Sequence, residues 1–231
     1  WLQPDSKGNI SLADLENALK NNERSLVSLM HANNEIGTLL PIREVAELCE
    51  KYNALFHCDT VQTMGHYKMD MKETKVHYIT CAAHKFHGPK GVGFLYMNAQ
   101  YKLNPFIHGG AQERNMRGGT ENLYGIVGLA KALEICNEEM EDHQKYIMGL
   151  KDYMRESVMK MIPGTELNGE TGHERSLYTV LNLRFPKHTD AEMLLFNLDI
   201  AGIAASGGSA CSSGSEQGSH VLRGIGADMQ R

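Results

Sequence analysis

Lys85 stands in the run Thr80-Cys81-Ala82-Ala83-His84-Lys85-Phe86-His87-Gly88-Pro89-Lys90-Gly91, just past the β-branched and aromatic stretch Val76 to Thr80. A lysine at the end of a buried strand, against a Gly-Pro turn, is an unusual place for a surface cation. A second strand-like run, Ala54 to Cys58, ends in Asp59-Thr60-Val61-Gln62. An amine nucleophile and a carboxylate at the carboxyl ends of neighbouring strands are the pair that a pyridoxal phosphate (PLP) site requires. The lysine forms the Schiff base and the acid partners the pyridinium nitrogen.

Other stretches offer chemistry of their own. Cys211 lies in Ser206-Gly207-Gly208-Ser209-Ala210-Cys211-Ser212-Ser213-Gly214-Ser215. Glycine and serine contribute little core and cost backbone entropy to order, so the composition predicts a loop that presents an accessible thiol. The same thiol also reads as a free surface cysteine. His108-Gly109-Gly110-Ala111-Gln112-Glu113-Arg114-Asn115-Met116-Arg117-Gly118-Gly119-Thr120 combines close-approach glycines with two arginines and a threonine. It reads as an anion cradle before a helix or as a tight structural turn. Asn34 and Gln62 could donate to a cofactor oxygen or simply shape turns. His57, His66, His77 and His87 read as structural or surface groups.

The elements that position these groups follow from periodicity. Ser11 to Asp14 reads as a capping box for a short helix ending near Asn21. Residues 25–32 read as a buried parallel strand. Pro41 fits the first turn of a helix with Ile42, Val45, Ala46, Cys49 and Tyr52 on one face. Strands are expected at 54–58, 76–80 and 92–97, with a polar connection between the first two. A long helix is expected from Glu121, with Leu123, Ile126, Val127, Ala130 and Leu133 at helical spacing, and another over 141–161. A strand over 178–183, a helix over 191–198 and a short strand near Ile203 complete the reading. Strands alternating with helices predict an α/β architecture, with ligands gathering beyond the carboxyl ends of the strands.

Of the 231 residues, 23 are basic and 28 acidic, for a formal charge of −5. That balance gives no broad footprint for nucleic acid. No apolar run is long enough to span a membrane, and Trp1-Leu2-Gln3-Pro4-Asp5 is unlike a signal peptide. Five scattered cysteines without CxxC spacing predict reduced thiols in a cytoplasmic protein.

Taken together and in order, Met30-His31-Ala32-Asn33-Asn34-Glu35-Ile36-Gly37, His57-Cys58-Asp59-Thr60-Val61-Gln62, Ala83-His84-Lys85, His108 to Arg114, Met116 to Asn122 and Ser209-Ala210-Cys211 resemble the cysteine desulfurases. These are members of the class V aminotransferase family with the PLP fold type I. The long stretch around Cys211 is similar to the group I (NifS/IscS-like) branch. The resemblance implies a partial large domain, mostly parallel sheet with flanking helices, over residues 1–141. It implies a smaller α+β domain over 142–231.

It further implies that Lys85 holds PLP, Asp59 bonds the pyridine nitrogen, Asn34 and Gln62 face the phenolic oxygen, and His84 sits by the phosphate. Thr120 would reach the phosphate of the neighbouring subunit in a homodimer, and Cys211 would accept sulfur from L-cysteine, releasing L-alanine. An iron–sulfur scaffold protein would be the onward acceptor, with a transient iron–sulfur contact at Cys211 as the one implied metal contact.

Several positions depart from the family pattern. Ala82 replaces a phosphate-binding serine, Ala111 and Asn115 replace glycines, and Gly118 stands where serine is common, which predicts a weaker grip on the phosphate. Relatives are longer, with an upstream Gly-Ala-Thr phosphate loop and ring-stacking histidine and a downstream carboxylate-binding arginine. The chain is therefore expected to be part of a longer enzyme and to have doubtful activity alone. Within the same resemblance, a selenocysteine lyase or another class V PLP enzyme is the alternative. A non-catalytic partner protein or metal-binding module using Cys58, Cys81, His84 and His87 is the remote one, since that spacing matches no closed zinc site.

Overall fold

A computed structural model describes residues 1–187, 193–207 and 218–227. The chain forms two compact units, one of residues Glu16–His31 and Pro41–Asp142, the other of Trp1–Leu15, Ala32–Leu40 and His143–Arg231. Helix α1 (Leu12–Lys20) starts where Ser11 accepts from the Asp14 N–H at 3.1 Å, as its capping pattern predicts.

The unit containing Lys85 is built on one sheet in the order β1 (Leu26–Met30), β2 (Leu55–Asp59), β3 (Tyr78–Ala82), β4 (Gly93–Met97). The first three strands run parallel and β4 is antiparallel to β3. Burial alternates along the strands with the period of two that a sheet imposes. Val27, Phe56, Cys58, Ile79 and Cys81 are buried, whereas Leu26 and Leu95 are 61% and 51% exposed. The expected burial of 25–32 is therefore only half realised, because side chains alternate and Leu26, Ser28 and Met30 lie on the face of β1 that is not covered.

Helix α2 (Ile42–Lys51) buries Val45, Ala46 and Cys49, three of the positions its pattern predicts. Within the connection expected to be merely polar, Asp70 caps the single turn α3 (Met71–Thr74) by accepting from the Lys72 N–H. The third strand begins two residues later than expected. The His77 N–H donates to the Phe56 carbonyl and the Phe56 N–H donates to His77 Nδ1, so His77 serves as the entry to the ladder.

After α4 (Gln112–Asn115), Asn122 caps α5 (Leu123–Glu138). The expected apolar stripe of α5 is rotated from the face it buries. Leu129, Ala132, Leu133 and Cys136 pack on Cys81, Ala83, Phe86 and Phe94, while Leu123 and Val127 stay exposed. This helix is apolar on nearly every side, so spacing alone does not select the buried face.

The other unit joins residues 32–40 to 175–182. The Leu39 N–H donates to the Arg175 carbonyl, the Leu177 N–H donates to the Gly37 carbonyl, and Thr38 bridges Ser176. Lys151, in α6 (Met140–Met161), donates to Ser176 Oγ and the Leu177 carbonyl, each at 2.8 Å. Burial lowers the pKa of this amine to about 8.

These bonds occupy the backbone of 175–177, and the Val180 N–H turns back to the Leu177 carbonyl. The strand expected over 178–183 accordingly shrinks to β6 (Leu183–Arg184), paired antiparallel with β5 (Glu166–Leu167). The helix expected over 191–198 appears, within the described residues, as α7 (Leu194–Ile200). The strand expected near Ile203 is instead a helix end. Gly202 takes φ +75° and the Ile203 N–H donates to the Leu198 carbonyl, the geometry that closes a helix C-terminus. Ser219 caps α8 (His220–Gly224) through the Leu222 N–H and donates to the buried Glu35 carboxylate.

Phe86 is fully buried against Cys81, Ala83 and Cys136. Truncating Phe86 to alanine should cost about 3–5 kcal/mol of unfolding free energy, measured as a lower denaturant midpoint, through lost burial and an unfilled cavity.

Candidate active site

Asp59 is the last residue of β2, and Lys85 closes the 3-10 turn Ala83–Lys85 that directly follows β3. Because β2 and β3 are adjacent and parallel, with Asp59 in register with Thr80, both residues stand at the carboxyl edge of the same sheet. Asp59 Oδ1 accepts from the Val61 N–H at 2.9 Å, an Asx turn that reverses the chain. Thr60, fully buried, donates through both its N–H and its hydroxyl to the Thr80 carbonyl. The 59–63 turn is thereby tied to β3 close to where the lysine turn begins. Gln62 is partly buried on that turn.

The Lys85 turn is rigid for steric reasons. The Phe86 and Gly88 N–H groups both donate to the Ala83 carbonyl, and a Cβ at Gly88 would meet the Ala83 Cβ at 2.8 Å. Ala83 and Phe86 flank the turn as fully buried anchors, while His84 and Lys85 themselves are exposed. His66 Nε2 lies 3.1 Å from the Lys85 carbonyl and Cys136 Sγ lies 3.5 Å from the Phe86 carbonyl. Ala82, the last residue of β3, is partly buried and presents only a methyl group.

The glycine-rich loop folds on itself rather than offering all its donors outward. Arg117 Nη1 donates to the Gly119 carbonyl at 2.6 Å, and the Gly119 N–H donates to Gln112 Oε1. Glu113, Arg114 and Asn115 all take positive φ, at 48°, 58° and 64°. Asparagine tolerates this region better than most side chains, which fits Asn115 at a position where the resemblance leads one to expect glycine. A Cβ at Gly118 would lie 2.7 Å from the Gly109 nitrogen, so this loop conformation admits no serine there. Thr120 is exposed at its end.

Asn34 belongs to the other unit, exposed on a turn in which Asn33 Oδ1 accepts from the Glu35 and Ile36 N–H groups. Cys211 lies outside the described residues. The remaining thiols do not look like ligands or nucleophiles. Cys58 and Cys81 are buried, and burial drives the Cys58 pKa up to about 12. Among the described residues no group of three or more His, Cys, Asp or Glu could hold a metal ion. Nor, among them, is any helix long and apolar enough to cross a membrane.

One residue at this edge was not singled out from sequence. His31 directly follows β1, its N–H donating to the Asp59 carbonyl and its Nδ1 lying 2.9 Å from Thr63 Oγ1. Burial lowers its pKa to about 4. The signal available was its position just past a strand end, beside a motif already quoted for its asparagine.

A mainly parallel sheet with an amine on a rigid turn and a carboxylate at the next strand end has the architecture of the large domain of fold type I PLP enzymes. The Aminotransferase class-V family pattern matches residues 1–227, and the chain belongs to that family. A curated relative, the cysteine desulfurase IscS of Clostridium botulinum, is 44% identical over 226 residues, covering 98% of this chain and 56% of the relative. A solved NifS-like protein superposes with a TM-score of 0.85 at 36% identity, covering all of this chain and 59% of that one. The structure described as SspA in complex with cysteine gives 0.80 at 30% identity, with 100% and 62% covered. The chain thus spans little more than half the length of these relatives.

The His31 environment predicts a pH effect. The unfolded chain takes up a proton near pH 6.5, whereas folded His31 resists it until about pH 4. The unfolded state therefore binds more protons across that window, and stability falls as pH drops through it. His31→Asn should flatten this part of the profile, read as a smaller difference between urea midpoints at pH 7 and pH 5 than in the parent protein.

Proposed function

We propose that this chain is part of a PLP-dependent cysteine desulfurase that converts L-cysteine to L-alanine and leaves a persulfide on Cys211. The observation that carries the reading is the placement of Lys85 and Asp59 just past, or at, the carboxyl ends of two adjacent parallel strands. The names of the relatives, and the cysteine bound in the SspA structure, support the choice of substrate.

The donor set suits PLP. An exposed amine on a turn locked by Gly88 has no ion-pair partner among the described residues, and a carboxylate ends the neighbouring strand. Bound PLP supplies an electron sink for the Cα of the substrate. Lys85 is the residue that holds the cofactor, and its free amine serves as the base that takes the Cα proton. Asp59, fixed by Val61 and by the Thr60–Thr80 bonds, keeps a proton on the pyridine nitrogen. Asn34 and Gln62 are assigned to the phenolic oxygen, and His84, next to Lys85, to the phosphate edge. Ala82 occupies a phosphate-side position without a hydroxyl. Thr120 is assigned to the phosphate of a neighbouring subunit, so the working unit is a homodimer.

In the sulfur step the Cys211 thiolate attacks the substrate sulfur. An S–S bond forms as the C–S bond breaks, and the substrate carbon gains a proton to become alanine. One cysteine and one thiol enter; one alanine and one persulfide leave. The persulfide is then delivered to an acceptor, with an iron–sulfur scaffold protein of the cytoplasm as the class proposed and any metal contact at Cys211 transient.

The test is incubation of the full-length protein with PLP and L-cysteine, followed by alanine analysis and peptide mass spectrometry. Equal yields of alanine and of one added sulfur on Cys211 are expected, with Cys211→Ala abolishing turnover. Alanine release with Cys211 unmodified, or turnover of selenocysteine alone, would overturn the reading. Borohydride should fix the cofactor mass on Lys85. Ala82→Ser should restore a phosphate donor and tighten PLP retention about fivefold to tenfold, the worth of one hydrogen bond, as read by cofactor titration.

A further inference from the structure

We infer that His31 is a positioning residue for the proposed site: as a hydrogen-bond partner of Thr63, it fixes the turn that carries Asp59 and Gln62. The inference rests on the reading of Asp59 and Gln62 as cofactor-binding residues. The turn itself stands on the geometry alone.

Two bonds link His31 to opposite ends of that turn. Its backbone N–H donates to the Asp59 carbonyl at 2.8 Å, continuing the β1–β2 ladder one residue past the strand. Its ring Nδ1 meets Thr63 Oγ1 at 2.9 Å. Thr63 is fully buried, and its N–H donates back to the Thr60 carbonyl, as does that of Met64. Thr60 is in turn held by its two bonds to the Thr80 carbonyl. Residues 59–63 thus lie inside a closed bracket of β1, β2 and β3, and the imidazole supplies the only side chain from β1's end among the bonds described for it.

A hydroxyl has one proton to give. The Thr63 hydroxyl can direct it to the imidazole at 2.9 Å or to the Thr60 carbonyl at 3.4 Å, and the shorter contact favours the ring. Replacing His31 by an apolar side chain would leave the fully buried hydroxyl only the long 3.4 Å contact to the Thr60 carbonyl and release the far end of the turn. The Tyr67 ring, with its centroid 6.3 Å from that of His31, closes the same side. The buried ring's resistance to protonation keeps it in the form that can accept from Thr63 at neutral pH.

The geometry of the replacement distinguishes positioning from bulk. Asparagine places a polar atom where Nδ1 stands, glutamine places it near the position of Nε2, and leucine offers none. Amide hydrogen exchange of the cofactor-free full-length protein is the first readout. In His31→Leu and His31→Gln the Thr63 and Met64 amides should exchange about tenfold faster, while Phe56 and Ile79 in the sheet keep parental rates. His31→Asn should restore slow exchange. Thr63→Val should reproduce the leucine effect, and the double variant should add nothing to either single change.

The second readout is PLP binding, expected to weaken about tenfold in His31→Leu and to recover in His31→Asn, together with a shifted pH midpoint of the bound cofactor's visible absorbance. Uniform acceleration of all sheet amides, or unchanged exchange at Thr63 and Met64, overturns the inference, as does equal behaviour of the asparagine and leucine variants. If His31→Leu does not fold, Thr63→Val decides by the same criteria. Failure of the parent protein to bind PLP would refute the proposed function while leaving the exchange result to judge the bracket.

Discussion

The parallel pairing of β2 with β3 is the constraint on which the site depends. Side chains alternate along a strand, so a slip of one residue would exchange the two faces and move Asp59 away from the lysine turn. The register is held at both ends. His77 couples to Phe56 through two hydrogen bonds where β3 begins, and Thr60 grips the Thr80 carbonyl where β2 ends. On one face of the strands Phe56, Cys58, Ile79 and Cys81 are buried, and a slipped register would expose them. The same core that stabilises the sheet therefore determines which residues stand together at its carboxyl edge.

The positions of Lys85 and Asp59 were legible in the sequence because each is covalently next to a strand end. Lys85 and Asp59 needed only two correct strand assignments, and boundary errors of one or two residues did not change the edge on which they stand. The one-sided burial of α5 was not legible, since Leu123, Ile126 and Val127 are as apolar as the residues that actually pack on Phe86. The segment over 178–183 has the composition of a strand, but its backbone neighbours are committed elsewhere by residues 37–39 and Lys151. The partners at 37–39 lie more than 130 residues away in sequence, which no local pattern records. Ile203 failed for a smaller reason: Gly202 turns the chain and makes it a cap.

The departures from the family pattern acquire a local logic in the structure. Gly118 is required where serine is common because the loop backbone passes within Cβ distance of Gly109. Asn115 occupies a left-handed position that suits glycine or asparagine. Arg117 and Gln112 spend donors and acceptors on this same loop, so its polar groups first serve to hold its own shape. Ala82, by contrast, ends β3 in ordinary extended backbone and presents only a methyl group. The expected departures thus divide into positions that the loop backbone constrains and one, Ala82, that lies outside that loop.

Among the described residues, the ladder and core contacts that set the Lys85 turn lie between Leu26 and Cys136. During synthesis the ribosome therefore finishes this scaffold well before it reaches Cys211. At translation speeds of about 5–20 residues per second the delay is on the order of several seconds. The parallel sheet has that interval to close before residue 211 emerges from the exit tunnel, so the order of the codons itself separates the building of the sheet edge from the arrival of the Cys211 segment.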